Sequence, residues 1–378
     1  MSWLPKLLAT YDACKGKEPQ GSELLMPICH STQNAQIEIV LDGAGRFRRA
    51  SVLEKVQGLT LIPCTEASGG RSGKKPVNHP LHDKLQYLAK DFTLWGGEVT
   101  IGFAKDPAEP YRDYLQSLLD WAAADPHPTL QAVLAYIQDG HVVADLIQAG
   151  ILPVGDDGKL LKTWNADKAT APAIFKVLAP QQSPEEAFVR WRVEVDDAPN
   201  SAPWMDGALV GSWIVHYQRS QEKVGLCMAT GLQTALAVQH PAKLRHGGDK
   251  AKLISANDKS GYTFRGRFEA AEEAASVSSE VSAKAHSALR WLIARQGIRN
   301  GDQVSVAWAI NGATVPAPLQ DSYHYLDDED DTDNAAPSLA NERPSETANT
   351  LDWSANIGRK AAQIIKKKMH GFKAELSA

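Results

Sequence analysis

The sequence predicts an α+β protein built from more than one domain. Apolar residues recur at a three-to-four-residue spacing, typical of helices, between positions 110 and 150 and again over 279–295. Residues 189–195 instead alternate apolar and charged side chains, with the two-residue period of a half-buried strand. Since a chain of 378 residues can bury a sizeable core and usually divides into two or three domains, these signals indicate a mixed N-terminal domain followed by a domain with an antiparallel sheet and packed helices.

The first domain is predicted over residues 1–110 and mixes helices with strands. A loop rich in glycine, serine and lysine lies between Cys64 and His79. Pro80 favours a helix that continues through Leu88, because a proline at the first helical position removes an N–H that would have no partner there. Hydrophobic patterning also predicts a short helix at 3–11 and strands at 37–41 and 59–62.

The second domain is predicted over residues 111–326 and begins with a helical insertion that runs to about position 150. In its body, Trp213, Val215 and Tyr217 alternate with other side chains at the spacing of a strand. The remaining predicted elements are a helix at 279–295 and strands at 189–195 and 304–310.

Two further segments follow the second domain. Residues 327–349 are acidic, polar and proline-containing, which predicts a linker because such a segment buries too little apolar area to offset the entropy lost on ordering. Residues 350–378 carry apolar side chains at helical spacing among many basic residues. This last segment is interpreted as the start of a helical region.

Bulk composition favours a cytoplasmic protein without a bound cofactor or metal. No apolar run approaches the roughly 18 residues needed to cross a bilayer, so no membrane partner is expected. The four cysteines lie far apart without a C-x-x-C pair, which is typical of reduced thiols in the cytoplasm and not of disulfides or a zinc site. The phosphate-binding G-x-x-x-x-G-K-[ST] motif does not occur, so ATP hydrolysis has no support in the sequence.

The net charge of −5 hides a strong segregation of basic residues. Between positions 241 and 268, seven lysines and arginines face only two aspartates, and aromatic residues lie among them. Arginine side chains bind phosphates and aromatic rings stack on unpaired bases, so the pattern is typical of single-stranded nucleic-acid binding. The alternative is that the segment is a solvent-exposed strand and turn whose aromatic residues belong to the core. The candidate contacts to a nucleic-acid backbone or strand are Lys243, Arg245, Lys252, Asn257, Lys259, Tyr262, Phe264, Arg265 and Arg267.

Several segments resemble one known family in the same order along the chain. They are residues 72–81, the Cys-Met-Ala-Thr-Gly run at 227–231, the His-Pro turn at 240–241, the Ser-Ala-Asn-Asp run at 255–258, the helix at 282–292 and the strand end at 307–309. This set is similar to the large subunit of the type I-C CRISPR surveillance complex (Cascade). Leu232 stands where that family usually has glutamate. Because family members normally continue as a helical bundle, the chain is expected to be a fragment or a short member that lacks most of the bundle.

The resemblance implies a binding protein and not an enzyme. By analogy, the subunit would lie near the 5′ end of the guide RNA and contact target double-stranded DNA and other Cascade subunits. It would read the protospacer-adjacent motif (PAM) and stabilise the R-loop. The complex would recruit a helicase–nuclease. The loop at 69–79 becomes the candidate duplex reader, with an asparagine toward base edges and basic side chains toward phosphates. Its candidate residues are Arg71, Ser72, Lys74, Lys75 and Asn78.

Two other functions stay open from the sequence. His82-Asp83 is a dipeptide found in metal-dependent phosphohydrolases, but no second motif completes a nuclease site, and His82 is expected to cap the helix after Pro80 or to face solvent. A scaffold subunit that joins other proteins without touching DNA is the second alternative, with exposed tryptophans as interface anchors. Charge reversal at Arg265 and Arg267 separates the two binding roles, because only a DNA reader would lose affinity and salt dependence.

Overall fold

The computed structural model describes residues 3–18, 25–195, 200–246, 249, 251–254, 268, 275–313 and 315. These residues belong to two compact units. The first unit draws its described residues from Met1–Leu25, Lys243–Leu253 and Lys284–Ala378, and the second from Met26–Ala242 and Ile254–Ala283. Helices and small sheets occur together, which confirms the predicted α+β class. The domain boundaries expected from the sequence stay predictions, and the linker at 327–349 and the helical region at 350–378 lie outside the described residues.

The secondary structure of the described residues is as follows. The helices are α1 (Trp3–Cys14), α2 (Glu66–Gly69), α3 (Leu85–Leu88), α4 (Glu109–Ala124), α5 (Pro128–Asp139), α6 (Val142–Gln148), α7 (Ala173–Val177), α8 (Gly207–Arg219) and α9 (Ser279–Gln296). The strands are β1 (His30–Asn34), β2 (Ile37–Asp42), β3 (Phe47–Val52), β4 (Leu59–Pro63), β5 (Asp83–Lys84), β6 (Phe188–Glu194), β7 (Val224–Leu226), β8 (Gln233–Ala235), β9 (Ile298–Asn300) and β10 (Gln303–Ser305).

A four-stranded sheet in the order β3-β2-β6-β5 lies in the second unit. It is mixed, because β2 runs parallel to β6 and antiparallel to β3, whereas the β1–β4 and β7–β8 pairs are antiparallel. Ile39 and Trp191 are register partners on one face of the sheet, and both are fully buried in the core that also includes residues of α4, α5 and α6. The strands predicted at 37–41, 59–62 and 189–195 are confirmed.

The opposite face of this sheet is ionic and largely closed to solvent. Arg190 and Arg192 of β6 both pair with Glu38 of β2, at 2.8 and 3.1 Å. The guanidinium of Arg190 also lies 3.9 Å from the ring centroid of Trp204. Burial lowers the pKa of Arg190, and the negative charge of Glu38 partly offsets that effect. Because most of β6 is buried on both faces, the expectation of a half-buried strand is wrong for this element.

Residues 213–217, predicted as a strand, lie in helix α8. Asp206 caps the helix by accepting two backbone N–H bonds at 2.9 and 3.3 Å. Trp213 and Tyr217 are one helical turn apart and stack with 5.6 Å between ring centroids, whereas Val215 between them is 46% exposed. A helical pair at positions i and i+4 therefore produced the alternation that favoured a strand.

Two tryptophans connect α4 with α8. The rings of Trp121 and Trp213 meet edge to face, with 4.9 Å between centroids and 62° between planes. Trp213 donates its Nε1–H to the carbonyl oxygens of Cys29 and Cys64 at 3.0 and 3.3 Å, and Trp121 donates to the hydroxyl of Ser212 at 2.9 Å. Each buried indole thus has a polar partner as well as an apolar contact.

Two further sequence predictions hold only in part. The helix predicted from Pro80 to Leu88 is reduced to α3, because Asp83 and Lys84 first pair with β6 as strand β5. The strand predicted at 304–310 is reduced to β10, which pairs with β9.

The described part of the first unit is built around α1 and the portion of α9 from Lys284 onward. Lys284 pairs with Asp12 at 2.8 Å, and Trp308 donates its Nε1–H to Thr10 Oγ1 at 3.0 Å. The helices predicted at 3–11 and 279–295 are confirmed. No helix among the described residues of either unit is long and apolar enough to cross a membrane.

Candidate nucleic-acid interface

The predicted duplex-reading loop at 69–79 is anchored by a buried ion pair. Arg71 donates from both terminal nitrogens to the two carboxylate oxygens of Asp83, at 2.8 and 2.6 Å. Asp83 is fully buried, and the backbone N–H groups of His79 and Lys84 donate to the same carboxylate at 2.6 and 2.7 Å. Burial alone would lower the pKa of Arg71, but the charge of Asp83 and its hydrogen bonds outweigh burial and raise it. One fixed carboxylate therefore holds both ends of the loop.

Close backbone contacts fix the middle of the loop. The hydroxyl of Tyr87 donates to the carbonyl oxygen of Pro76 at 2.8 Å. Gly102 lies directly beneath the loop, where a Cβ atom would stand 1.7 Å from the carbonyl oxygen of Lys74. Only glycine permits this approach of two backbones. The loop is therefore held at its middle as well as at its ends.

Residues 72–75 form the exposed end of the loop and are called the loop tip below. Each of them is exposed, so the tip presents the hydroxyl of Ser72 and the ammonium groups of Lys74 and Lys75 to solvent. Lys75 also pairs with Glu109 at the start of α4. The tip thus carries two cations on a supported backbone.

Two of the five residues predicted to contact duplex DNA are held inside the protein. Arg71 is engaged by Asp83, as described above. Asn78 is 6% exposed and donates from Nδ2 to the carbonyl oxygen of His79 and to the hydroxyl of Ser117, at 3.3 and 3.4 Å. In this geometry both side chains hold the loop, and direct contact with DNA stays a prediction for all five. The exposed members of the set are Ser72, Lys74 and Lys75.

Only part of the predicted strand-binding segment lies among the described residues. Lys243 and Lys252 are partly exposed. Arg245 donates from Nε to Asp249 at 2.8 Å, and this hydrogen bond raises the pKa of Arg245 and lowers that of Asp249. One of the candidate cations is therefore already paired. The candidates outside the described residues, which stay predictions, are Asn257, Lys259, Tyr262, Phe264, Arg265 and Arg267.

His82, which suggested a metal-dependent nuclease, is part of the core. It neither caps a helix nor faces solvent: it is fully buried, and the backbone N–H of Trp191 donates to its Nδ1 at 3.2 Å. Burial lowers the pKa of His82 to about 3. The neighbouring Asp83 carboxylate is occupied by Arg71. Within the described ranges no group of three His, Cys, Asp or Glu side chains could hold a metal ion, and the acidic run at 327–333 lies outside them.

Comparison with known proteins assigns the chain to a family. A family model described as CRISPR-associated protein (Cas_Csd1) matches residues 7–375. The chain belongs to the Cas_Csd1 family. This confirms the resemblance to the type I-C large subunit, and it implies other Cascade subunits and nucleic acid as partners in general. A search of curated proteins finds no match.

This Cas_Csd1 protein has a second basic surface, which the sequence patterns did not predict. It lies at the turn between β2 and β3 and consists of Arg46, Arg48 and Arg49, called the arginine edge below. Their side chains are 79, 58 and 60% exposed. The signal in the sequence was the run Gly-Arg-Phe-Arg-Arg at 45–49, which places three arginines within four positions beside an aromatic residue.

Proposed function

We propose that this Cas_Csd1 protein is the DNA-contacting large subunit of a type I-C surveillance complex and that its loop tip contacts the duplex that carries the PAM. The observation that carries the proposal is the anchored loop, in which the buried Arg71–Asp83 pair supports the exposed Lys74 and Lys75. Cationic side chains on a preorganised backbone lose little entropy when they meet phosphates. Phosphate contacts of this kind fix the register in which base edges are read.

The five loop residues divide into two roles within this proposal. Lys74 and Lys75 neutralise phosphates, and the Ser72 hydroxyl bonds to a phosphate oxygen or a base edge. Arg71 and Asn78 are positioning residues, since their hydrogen bonds hold the loop. Loss of either positioning residue would therefore weaken DNA binding by releasing the loop tip.

The basic segment at 243–267 is assigned to the backbone of the displaced strand or of the guide RNA. Arg245 already pairs with Asp249, whose side chain is 4% exposed, so Lys243 and Lys252 are the described cations of this segment that would meet phosphates first. The chain would lie near the 5′ end of the guide RNA and help to hold the R-loop open, and the complex would recruit the helicase–nuclease. Because base pairing supplies most of the sequence specificity, the subunit needs to read only a short duplex. In this proposal it acts by binding, in the cytoplasm, and catalyses no reaction.

Gel-shift titration tests the proposal. The guide-loaded complex is assembled with the wild-type chain, with a Lys74→Gln/Lys75→Gln variant or without the chain, and is titrated on matched duplexes with and without the PAM. We expect PAM-dependent binding only with the chain. Loss of two phosphate contacts should reduce the slope of log K against log salt by about 1.8, at about 0.9 per contact.

The matched control is Lys55→Gln/Lys90→Gln, which removes the same charge from two exposed lysines outside the loop. It should keep both the affinity and the slope of the wild-type chain. Equal PAM dependence in complexes with and without the chain would refute the assignment as a PAM reader.

A scaffold role has one observation in its favour. The β7–β8 hairpin exposes apolar side chains that soluble proteins usually cover, with Val224 at 64%, Leu226 at 53% and Leu232 at 65%. If another Cascade subunit covers this surface, Leu226→Asp/Leu232→Asp should release the chain from the assembled complex. Size-exclusion chromatography of the complex measures this, and the Lys74→Gln/Lys75→Gln variant should remain assembled.

A further inference from the structure

We infer that the arginine edge is a second nucleic-acid site, which binds a phosphate backbone independently of the loop tip. The inference rests on the proposed function in one respect, because it requires that the chain contact nucleic acid. The arginine edge lies outside both the loop at 69–79 and the basic segment at 243–267. Arg46, Arg48 and Arg49 are consecutive but for one residue and are all exposed.

The turn that carries the arginine edge is rigid. Asp42 accepts backbone N–H bonds from Ala44 and Arg46 at 3.0 and 2.9 Å. Gly45 has a φ of +80°, and a Cβ atom there would lie 2.4 Å from the carbonyl oxygen of Ala132 in α5. The turn is therefore pressed against a helix in a conformation that favours glycine. The backbone from which the arginine side chains extend is therefore fixed before any ligand arrives.

A β-bulge exposes two of the arginines together. Arg49 pairs with Val40 and Phe47 pairs with Leu41, so Arg48 is the extra residue of β3 and has no register partner in β2. Bulges of this kind bend a strand and redirect its side chains. Phe47 stays partly buried, whereas Arg48 and Arg49 are both exposed. The irregular register thus produces adjacent arginines on the surface.

Neighbouring acids neutralise only part of this charge. Arg48 pairs with Asp42 at 3.0 Å and Arg49 with Glu194 at 2.6 Å, while Arg46 comes no closer than 3.8 Å to Asp42. Three arginines therefore face two carboxylates. Each guanidinium has five N–H donors, so these pairs leave donors for a ligand. The Arg49–Glu194 pair is exposed on both sides, at 60 and 44%, and exposed ion pairs are worth little, so a phosphate can also take the place of Glu194.

A phosphate backbone is the ligand that this arrangement suits. Planar guanidinium forks match phosphate oxygens in pairs, and three of them along the turn and the start of β3 suit a chain of phosphates better than a single ion. The aromatic residue of the run, Phe47, stacks on Tyr136 with 6.3 Å between centroids, so base stacking is not expected at the edge. Binding should therefore depend on salt and be independent of sequence. Family membership favours nucleic acid over an acidic protein surface.

Fluorescence anisotropy with the full chain tests the inference. The probes are a labelled single-stranded RNA, a single-stranded DNA of the same sequence and a duplex without the PAM, titrated between 50 and 200 mM salt. For a single strand, Arg46→Gln/Arg48→Gln should reduce affinity roughly 25-fold at 0.1 M salt and reduce the salt slope by about 1.4, at about 0.7 per contact. A loss confined to RNA assigns the edge to the guide, and a loss confined to DNA assigns it to the target.

The control Lys6→Gln/Arg219→Gln removes two positive charges from exposed residues elsewhere and should bind like the wild-type chain. If the double variant of the edge loses stability, Arg46→Glu repeats the test at a side chain that is 79% exposed. Unchanged affinity and slope for all three probes would overturn the inference. The inference would also be overturned if the edge variant dissociated from the assembled complex while its affinity for nucleic acid stayed unchanged. That result would assign the arginine edge to an acidic protein.

One further comparison distinguishes a failure of the loop-tip assignment from a failure of the arginine-edge assignment. A PAM-containing duplex is added as a fourth probe, and the Lys74→Gln/Lys75→Gln variant is measured beside the edge variant. If the loop assignment fails, the loop variant keeps its preference for the PAM while the edge variant still loses its salt-dependent affinity. If the edge assignment fails, the loop variant alone differs from the wild-type chain.

Discussion

Replacing Asp83 with asparagine would break the anchor of the loop at 69–79. One carboxylate oxygen of Asp83 accepts from Arg71 and from the backbone of His79, and the other accepts from Arg71 and from the backbone of Lys84. Asparagine keeps one acceptor oxygen and places an NH2 group where the other stood. In either orientation two of the four donors lose their acceptor, and the Arg71 side chain, 15% exposed, is left without a countercharge.

The expected loss of stability is large. Removing one partner of a buried ion pair costs about 3–5 kcal/mol, because the remaining charge stays buried and uncompensated. For a folded unit of 150–250 residues, each kcal/mol lowers the melting temperature by about 2–4 °C. Asp83→Asn should therefore lower the melting temperature of the second unit by about 6–20 °C.

Differential scanning calorimetry of the full chain measures this shift, and urea unfolding followed by tryptophan fluorescence gives the free energy. The control is Asp106→Asn, which removes a countercharge from the exposed Arg112 at 2.7 Å and should leave the melting temperature nearly unchanged. If Asp83→Asn lowered stability by less than about 1 kcal/mol, the ion pair would not anchor the loop.

Three other residues of the second unit give further predictions. The pKa of His82 is about 3 in the fold and about 6.5 in an unfolded chain, so between these values only the unfolded state binds the proton and stability falls as the pH drops. At about 1.4 kcal/mol per pH unit, unfolding by urea should show a loss of about 2 kcal/mol between pH 6.5 and 5, and His82→Asn should abolish that part of the loss. Glu38→Gln should destabilise the second unit by about 3–5 kcal/mol in the same urea assay, because two arginines of β6 lose their countercharge; an unchanged midpoint would contradict the ionic face. Gly102→Ala should weaken PAM-dependent gel shifts, since its methyl group would collide with the Lys74 carbonyl, whereas Gly70→Ala, with nothing within 4 Å, should not.

The regular elements could be predicted where one periodicity dominated. The helices in 110–150 and at 279–295 show sustained helical spacing, and each was confirmed. In α8, Trp213 and Tyr217 are four residues apart, which is the spacing of one helical turn. Because Val215 lies midway between them, the three residues also match the two-residue period of a strand. Five residues are too few to separate the two periods.

The candidate site could be predicted only in outline. Composition indicated a basic loop at 69–79, and its exposed lysines agree with that interpretation. The sequence could not show that Arg71 and Asn78 are held inside, because their partners Asp83 and Ser117 are 12 and 39 positions away. The same limit applies to Arg190, whose partner Glu38 lies 152 positions away. The sequence therefore could not distinguish polar side chains that are free to bind a ligand from those that already pair with a distant residue of the same chain.

The edge-to-face contact of Trp121 and Trp213 gives the second unit an optical signature of its own. Two identical indoles held 4.9 Å apart at 62° couple their excited states, which splits their ultraviolet absorption into a pair of circular-dichroism bands of opposite sign. The pair of bands persists only while α4 and α8 remain packed. Loss of these bands on heating therefore reports the melting of this unit without an added chromophore.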